Sequence, residues 1–267
     1  RAEVITKFLA LWIFYDDAIE EADDAQGQAI HDAIRASSPT PPTGDRHLAC
    51  WWEIARQYGG TMSRAWLDRH AERFTEWMAS VAAERATAVE FRATGRYPSP
   101  EQHLAGRRLN IGMIPNMDFV EYQMGWELPS EVLSDPAMRE VERCGAEAVA
   151  IINDVFGYSK DRGSHWPNLV SCLVAAGEHG PEQAFQRVCA MHDERVALLL
   201  QHERDLTAKY AHRRELADWF AGLHCVVYGF AQWHSRAPRY SATHLVGDRV
   251  IRVRVRDDGS AVHRRGA

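Results

Sequence analysis

Apolar residues recur every three or four positions along most of this chain, the period of a helix that buries one face. Residues 1–36 follow that period with no internal proline and predict helix. "SSPTPPTGD", residues 37–45, breaks it with three prolines and a glycine, and Asp45 is placed to cap the next helix. Residues 46–94 predict one or two long helices, with Gly59-Gly60 as the break. "GRYPSPEQ", residues 95–102, stops and restarts the pattern: Ser99 caps, and Pro100 and Glu101 suit a first turn. The helix from about 101 runs into Gly112 and Pro115, which break or kink it. Further helices are predicted near 130–160, 167–177, 181–211 and 213–235. The tail is different. "DRVIRVRVRDDGS", residues 248–260, alternates apolar residues with arginine over 250–256, a strand signal that fits an edge strand, a flap or a disordered tail.

Composition narrows the classes of function. A chain of 267 residues, 46% of them hydrophobic, can bury a sizeable core. A net charge of −6 argues against a nucleic-acid binder that neutralises phosphates. No apolar run reaches the ~18 residues of a membrane span, and residues 1–36 lack a signal-peptide layout. The five cysteines are scattered, odd in number and without a CxxC pair, so they read as free thiols of a reducing compartment. A soluble cytoplasmic protein is the expectation. The thirteen histidines form no HExxH or HxH pattern, no GxSxG motif occurs, and "GGTMS" lacks the lysine of a phosphate-binding loop.

Two polar stretches interrupt apolar helical faces. "FYDDAIEEADD" comes after the apolar run "FLALWIFY". Asp16 and Glu20, four apart, share a helical face above Phe8, Leu9, Trp12 and Ile13. That is either a solvated helix end or a set of hard oxygen ligands for Mg2+ or Mn2+ at the rim of an apolar wall. "NDVFGYSKDR" repeats the layout. Asn153, Gly157 and Asp161 fall at i, i+4 and i+8, with Lys160 beside them and small apolar Ala146, Val149 and Ala150 on the preceding turns. An ordinary polar helix end is the alternative here too.

Together the two stretches resemble the motifs of the class I terpene synthases, the bacterial terpene cyclases. "DDAIEE" is similar to their aspartate-rich first motif. "NDVFGYSKD" is similar to their second motif, N-D-x-x-S/T-x-x-K/R-D/E, except at Gly157, where a metal-ligating hydroxyl is absent and a water would stand in. Arg107 lies 46 positions before Asn153, the family's spacing for its diphosphate-sensing arginine, with Arg108 as the neighbouring alternative. Arg239-Tyr240 come 86 and 87 positions after Asn153, as the family's Arg-Tyr pair does.

The resemblance implies an all-α isoprenoid synthase helical bundle around an apolar cavity over residues 1–240. The helices that precede the first motif in relatives are expected to be absent, and 241–267 is left as a tail of unknown role. It implies three Mg2+ ions, replaceable by Mn2+, bridging two helices. Asp16 is their best ligand on the first helix, helped by Glu20 or Glu21, while Asn153, Asp161 and a water at Gly157 serve on the second. Asp17 would pair with a basic residue. Arg107, Lys160, Arg239 and Tyr240 would grip the diphosphate. Asn110 would link the sensor to Ile111, whose carbonyl faces the ionising carbon. Phe8, Trp12, Phe230 and Trp233 are expected as the aromatic wall of the substrate cavity, with core packing as the plain alternative. Farnesyl diphosphate is the favoured substrate, ahead of geranyl, methylated geranyl and geranylgeranyl diphosphates, and a homodimer is in keeping with the family. The competing readings are a prenyl diphosphate synthase or hydrolase giving acyclic products, and a degenerate helical binding protein.

Overall fold

A computed structural model describes residues 1–18, 24–35, 40–177, 180–246, 249–256 and 261–265. Among these, the helices are α1 (Ala2–Ala18), α2 (Asp24–Ile34), α3 (Arg46–Gly59), α4 (Arg64–Thr94), α5 (Pro100–Asn110), α6 (Met113–Met124), α7 (Ser130–Leu133), α8 (Pro136–Ser164), α9 (Leu169–Ala175), α10 (Pro181–Lys209) and α11 (Glu215–Arg236). The strands β1 (Thr243–Val246), β2 (Arg249–Val255) and β3 (Ala261–Arg265) complete the chain order. The chain forms two compact units, Arg1–Ala82 with Ile114–Pro129, and Ala83–Met113 with Ser130–Ala267.

Local chemistry sets the helix ends. The Asp45 carboxylate accepts from the backbone N–H groups of His47 and Leu48 at the start of α3. Ser99 and Gln102 form a reciprocal capping box at α5, with Pro100 in the first turn. Asp135 caps α8, and His165, in the left-handed region at φ 56°, ends it. α5 stops at Ile111 because Gly112 takes φ +67°, a conformation that costs a glycine little. Pro115 then falls in the first turn of α6, where its missing N–H is harmless.

The first unit is held by aromatic packing. Trp51, Tyr58, Trp66, Phe74 and Trp77 are buried with Phe8 in one cluster. A buried charge cluster lies in the same unit. Asp118 accepts from Arg73 at 2.7 Å and stands 3.1 Å from His70 Nδ1. Burial would raise its pKa, but Arg73, His70 and Arg69 outweigh burial and hold it at about 2.

The second unit is built on α8. From Cys144 to Tyr158 every residue but Asn153 is buried, because α5, α9, α10 and α11 pack around this helix. Gly145, Ala146, Ala148 and Ala150 are short enough to let those neighbours approach. The tail belongs to this unit. β1, β2 and β3 form an antiparallel sheet with β2 in the centre, so the alternating stretch is an inner strand and neither an edge nor a flap. Its alternation has the usual cause: Ile251 and Val253 are buried in the unit's core, while Arg252 and Arg254 are exposed. His244 on β1 is fully buried, stacked on Phe185 at 5.2 Å, with its Nδ1 2.8 Å from Ser159 Oγ. Among the described residues no helix is long and apolar enough to cross a membrane.

Candidate active site

Four segments far apart in sequence converge within the second unit. α8 supplies Asn153, Asp154, Gly157, Lys160 and Asp161; α5 supplies His103, Arg107 and Asn110; Asn168 caps α9; and α11 with the turn after it supplies Phe230, Trp233, His234, Arg239 and Tyr240. His103 and Arg107 are four apart on α5, so one face of that helix meets α8.

Arg107 organises the centre. Its Nε donates to Asp154 Oδ1 at 3.0 Å and its Nη2 to Asn153 Oδ1 at 2.7 Å. Its Nη1 reaches Asn110 Oδ1 at 2.8 Å and Glu84 Oε1 at 3.2 Å. Burial disfavours the guanidinium charge, but Asp154 and Glu84 outweigh burial and raise its pKa. Asp154 shows the converse. It is 3% exposed, and burial alone would raise its pKa, yet Arg107 and His103 bring it down to about 2. A carboxylate that low only accepts, so His103 Nε2, 2.7 Å from Asp154 Oδ2, carries a proton. The same Oδ2 accepts from Leu169 N–H at 2.8 Å. Arg108 points elsewhere, toward Glu147 at 3.9 Å. Of the two adjacent arginines, it is Arg107 that meets the motif.

The orientation of Asn153 is fixed by its neighbours. His234 Nδ1 lies 2.7 Å from the Phe230 carbonyl, which can only accept, so the ring proton sits on Nδ1. Burial lowers the His234 pKa to about 4, leaving Nε2 as a bare acceptor. Asn153 Nδ2 donates to that Nε2 at 2.9 Å and to the Tyr240 hydroxyl at 3.1 Å. Its Oδ1 therefore faces Arg107, and is the atom a cation would take.

Asp161 is the second oxygen donor. Its Oδ2 accepts from Asn168 Nδ2 at 2.8 Å, and Lys160 Nζ stands 3.6 Å from its Oδ1. Burial, with the Asp154 charge, raises its pKa to about 6. Gly157 lies directly under this carboxylate. Tyr240 closes the group. The Lys160 ammonium and Arg239 guanidinium stand 5.6 and 5.7 Å from its ring centroid, and Trp233 packs edge-on at 5.4 Å. Ser241 N–H donates to the Phe156 carbonyl, tying the chain after Tyr240 to α8.

The remaining expectations separate. Asn110 is buried against Arg107, and Ile111 is the half-buried residue at the end of α5. Phe230 is half-buried and Trp233 is 38% exposed. In the first unit, Phe8 is enclosed by the rings of Trp51, His70, Phe74 and Phe119, with centroids 4.5 to 5.7 Å away, so core packing accounts for it. Trp12 is half-buried, edge-on to Trp77. Asp16 falls in the last turn of α1 with its side chain outside the described residues, and Glu20 and Glu21 lie outside them altogether.

Glu84, His103, Asn168 and His234 also belong to this group, and no motif of the sequence marks them. His103 was within reach, one turn before Arg107 on the same face. Asn168 is a residue type favoured at helix N-caps and directly precedes the apolar run of α9. Nothing local marks Glu84 or His234. Among the described residues no three His, Cys, Asp or Glu side chains gather as a metal cage. Asn153 and Asp161 are hard oxygen donors, the set that suits Mg2+ sharing its shell with waters and phosphate oxygens.

Residues 7–197 match the family model described as terpene synthase family 2, C-terminal metal binding. The terpene cyclase braA of Annulohypoxylon truncatum is 24% identical over 93% of this chain and 70% of its own length. Spiroviolene synthase of Streptomyces violens is 25% identical over 90% of this chain and 69% of its own. Among solved structures, 2-methylisoborneol synthase from Streptomyces coelicolor A3(2), in complex with Mg2+ and geranyl-S-thiolodiphosphate, superposes with a TM-score of 0.75 at 20% identity. That match covers 89% of this chain and 78% of that one.

Proposed function

This chain belongs to the terpene synthase family, with the all-α class I fold, and from that premise we propose that it is a Mg2+-dependent cyclase. Such a lyase ionises an allylic prenyl diphosphate and cyclises the resulting cation, releasing diphosphate. The observation that carries the proposal is the single hydrogen-bonded group of Arg107, Asn153 and Tyr240. Three residues spaced as the family's motifs are spaced meet at one atom set, with Asp161 and Lys160 beside it.

Each side chain has a task in this reading. Asn153 and Asp161 hold metal, and bound Mg2+ supplies positive charge where the leaving diphosphate develops negative charge. Arg107 reads the diphosphate with a planar fork of donors, and Asn110 couples it to Ile111. Lys160, Arg239 and the Tyr240 hydroxyl complete the grip. Asp154 and Glu84 keep Arg107 charged and aimed, and His103 holds Asp154 in place. His234 keeps the Asn153 amide nitrogen turned away, so that its oxygen is presented. Trp233 and Phe230 offer aromatic faces to a cation. The ligand roles of Asp16, Glu20 and Glu21, and a complement of three ions, belong to the same proposal and rest on the resemblance of their stretch alone.

Farnesyl diphosphate is the proposed substrate. A geranyl chain is the second reading, favoured by the thiolodiphosphate analogue bound in the neighbour from Streptomyces coelicolor. Incubation with geranyl, farnesyl and geranylgeranyl diphosphates, with and without Mg2+, and then gas chromatography–mass spectrometry of the extract, decides. Cyclic hydrocarbons or alcohols formed only with Mg2+ support the proposal and give the chain length. Acyclic alcohols alone would reduce it to a hydrolase, elongated diphosphates to a prenyltransferase, and no turnover to a binding protein.

A further inference from the structure

The second motif departs from the family pattern at Gly157, and the geometry around that residue gives the departure a meaning. Side chains at i and i+4 on a helix lie one above the other, and each leans toward the N-terminus. Asp161 leans over Gly157 in this way. A Cβ built on Gly157 would stand 3.0 Å from Asp161 Oδ2, 3.6 Å from its Cγ and 3.7 Å from its Oδ1. The Asp161 carboxylate thus lies against the open face of Gly157, and a side chain at 157 would press on it from its Cβ onward.

Something must keep the carboxylate there, and Asn168 does. Asn168 is fully buried. Its Oδ1 accepts from Val170 N–H at 3.0 Å, capping α9. Its Nδ2 donates to the Asp154 carbonyl at 2.9 Å and to Asp161 Oδ2 at 2.8 Å. Both amide hydrogens are used, so this side chain has no second orientation that keeps its bonds.

We propose that Gly157 and Asn168 form one positioning device for Asp161: the glycine clears the space, the asparagine amide clamps the carboxylate into it, and the carboxylate replaces the missing hydroxyl as the metal-facing group. The inference rests on the reading of Asp161 as a metal ligand. It differs from the simpler idea that a water replaces the hydroxyl, and one substitution separates the two. Under the water idea, Gly157→Ser restores a ligand and tightens metal binding. Under the positioning idea, the new side chain pushes Asp161 off its seat and weakens it.

The test is electron paramagnetic resonance titration of Mn2+ in the presence of inorganic diphosphate. The Mn2+ class removed by Asp161→Asn defines the site. Gly157→Ser should bind that class about tenfold more weakly, and so should Asn168→Ser, in line with the ~10- to 100-fold effect of outer-shell groups on metal affinity. Serine at 168 keeps the helix cap and loses only the amide donor, so a fold-related loss is separated by its thermal melt. Gly157→Ser, a change that favours helix, guards against a folding failure at 168. Parent-like or tighter binding in Gly157→Ser, or parent-like binding in folded Asn168→Ser, overturns the device. A parent protein with no Mn2+ class sensitive to Asp161→Asn overturns the metal-ligand reading itself.

Discussion

Asp154→Asn is the most informative perturbation of the second unit's polar centre. It keeps the shape of the side chain and removes one charge. In the parent, Asp154 accepts from His103, Arg107 and Leu169 N–H at 2.7, 3.0 and 2.8 Å. The folded state lowers its pKa from 3.8 to about 2. At ~1.4 kcal/mol per pKa unit, that difference is worth about 2 kcal/mol. Because the shift is downward, the carboxylate contributes stability that is fully present above pH 3.8 and is lost as pH falls through 2. Breaking a buried pair outright costs roughly 3–5 kcal/mol, but Glu84 remains beside Arg107 and softens the loss. The expected destabilisation at pH 7 is therefore about 2–4 kcal/mol, or a melting temperature lower by roughly 5–12 °C for a chain of this size. Thermal melts monitored by circular dichroism measure it. The gap between parent and variant should narrow as pH is lowered from 4 toward 2. A variant melting within ~2 °C of the parent at pH 7 would mean that the Asp154 charge does not stabilise the fold, as would a gap that ignores pH.

Four further outcomes are expected. Arg107→Lys keeps the charge but loses the fork that spans four acceptors, so kcat on the prenyl diphosphate should fall about 100-fold or more, and the melting temperature should fall as well because buried acceptors lose their donor. Phe8→Ala empties a site enclosed by four rings, so it should cost about 3–5 kcal/mol in urea unfolding; a variant as stable as the parent but altered in product would make Phe8 a cavity residue instead. Ile251→Ala should cost about 2–5 kcal/mol by the same measurement, because the residue is buried in the second unit's core; no loss would make the tail an appendage. His244 has a folded pKa lowered from 6.5 to about 4, so its share of stability is present above 6.5 and lost as pH falls toward 4; His244→Gln should flatten unfolding free energy against pH in that window.

The helical order was legible because its punctuation is local. Asp45, Ser99 and the Gly112 break each act on a few neighbouring backbone groups, and the structure uses all three. The tail was harder. Its alternation marks a strand, but only β1 and β3 make β2 an inner one, and their short runs carry little pattern. In the candidate site, the resemblance to the family's motifs pointed to Arg107, Asn153 and Tyr240, which the structure brings together, but not to the groups that orient them. His234 and Glu84 act across tertiary contacts, where no interval in the sequence announces a hydrogen bond. Phe8 shows the opposite difficulty. An aromatic on an apolar face reads the same whether it lines a cavity or fills a core, and only its four surrounding rings distinguish the two.

If Asn153 and its partners support metal-dependent ionisation, diphosphate and terpene leave the enzyme together. The decisive assay is stoichiometric: diphosphate released from farnesyl diphosphate, alongside terpene trapped in an organic overlay, with Mg2+ or with EDTA, for the parent and Asn153→Ala. Equimolar diphosphate and cyclic product are expected with Mg2+, and loss of both with EDTA or in the variant. Diphosphate release that persists in EDTA, or an Asn153→Ala protein as active as the parent, would contradict that role.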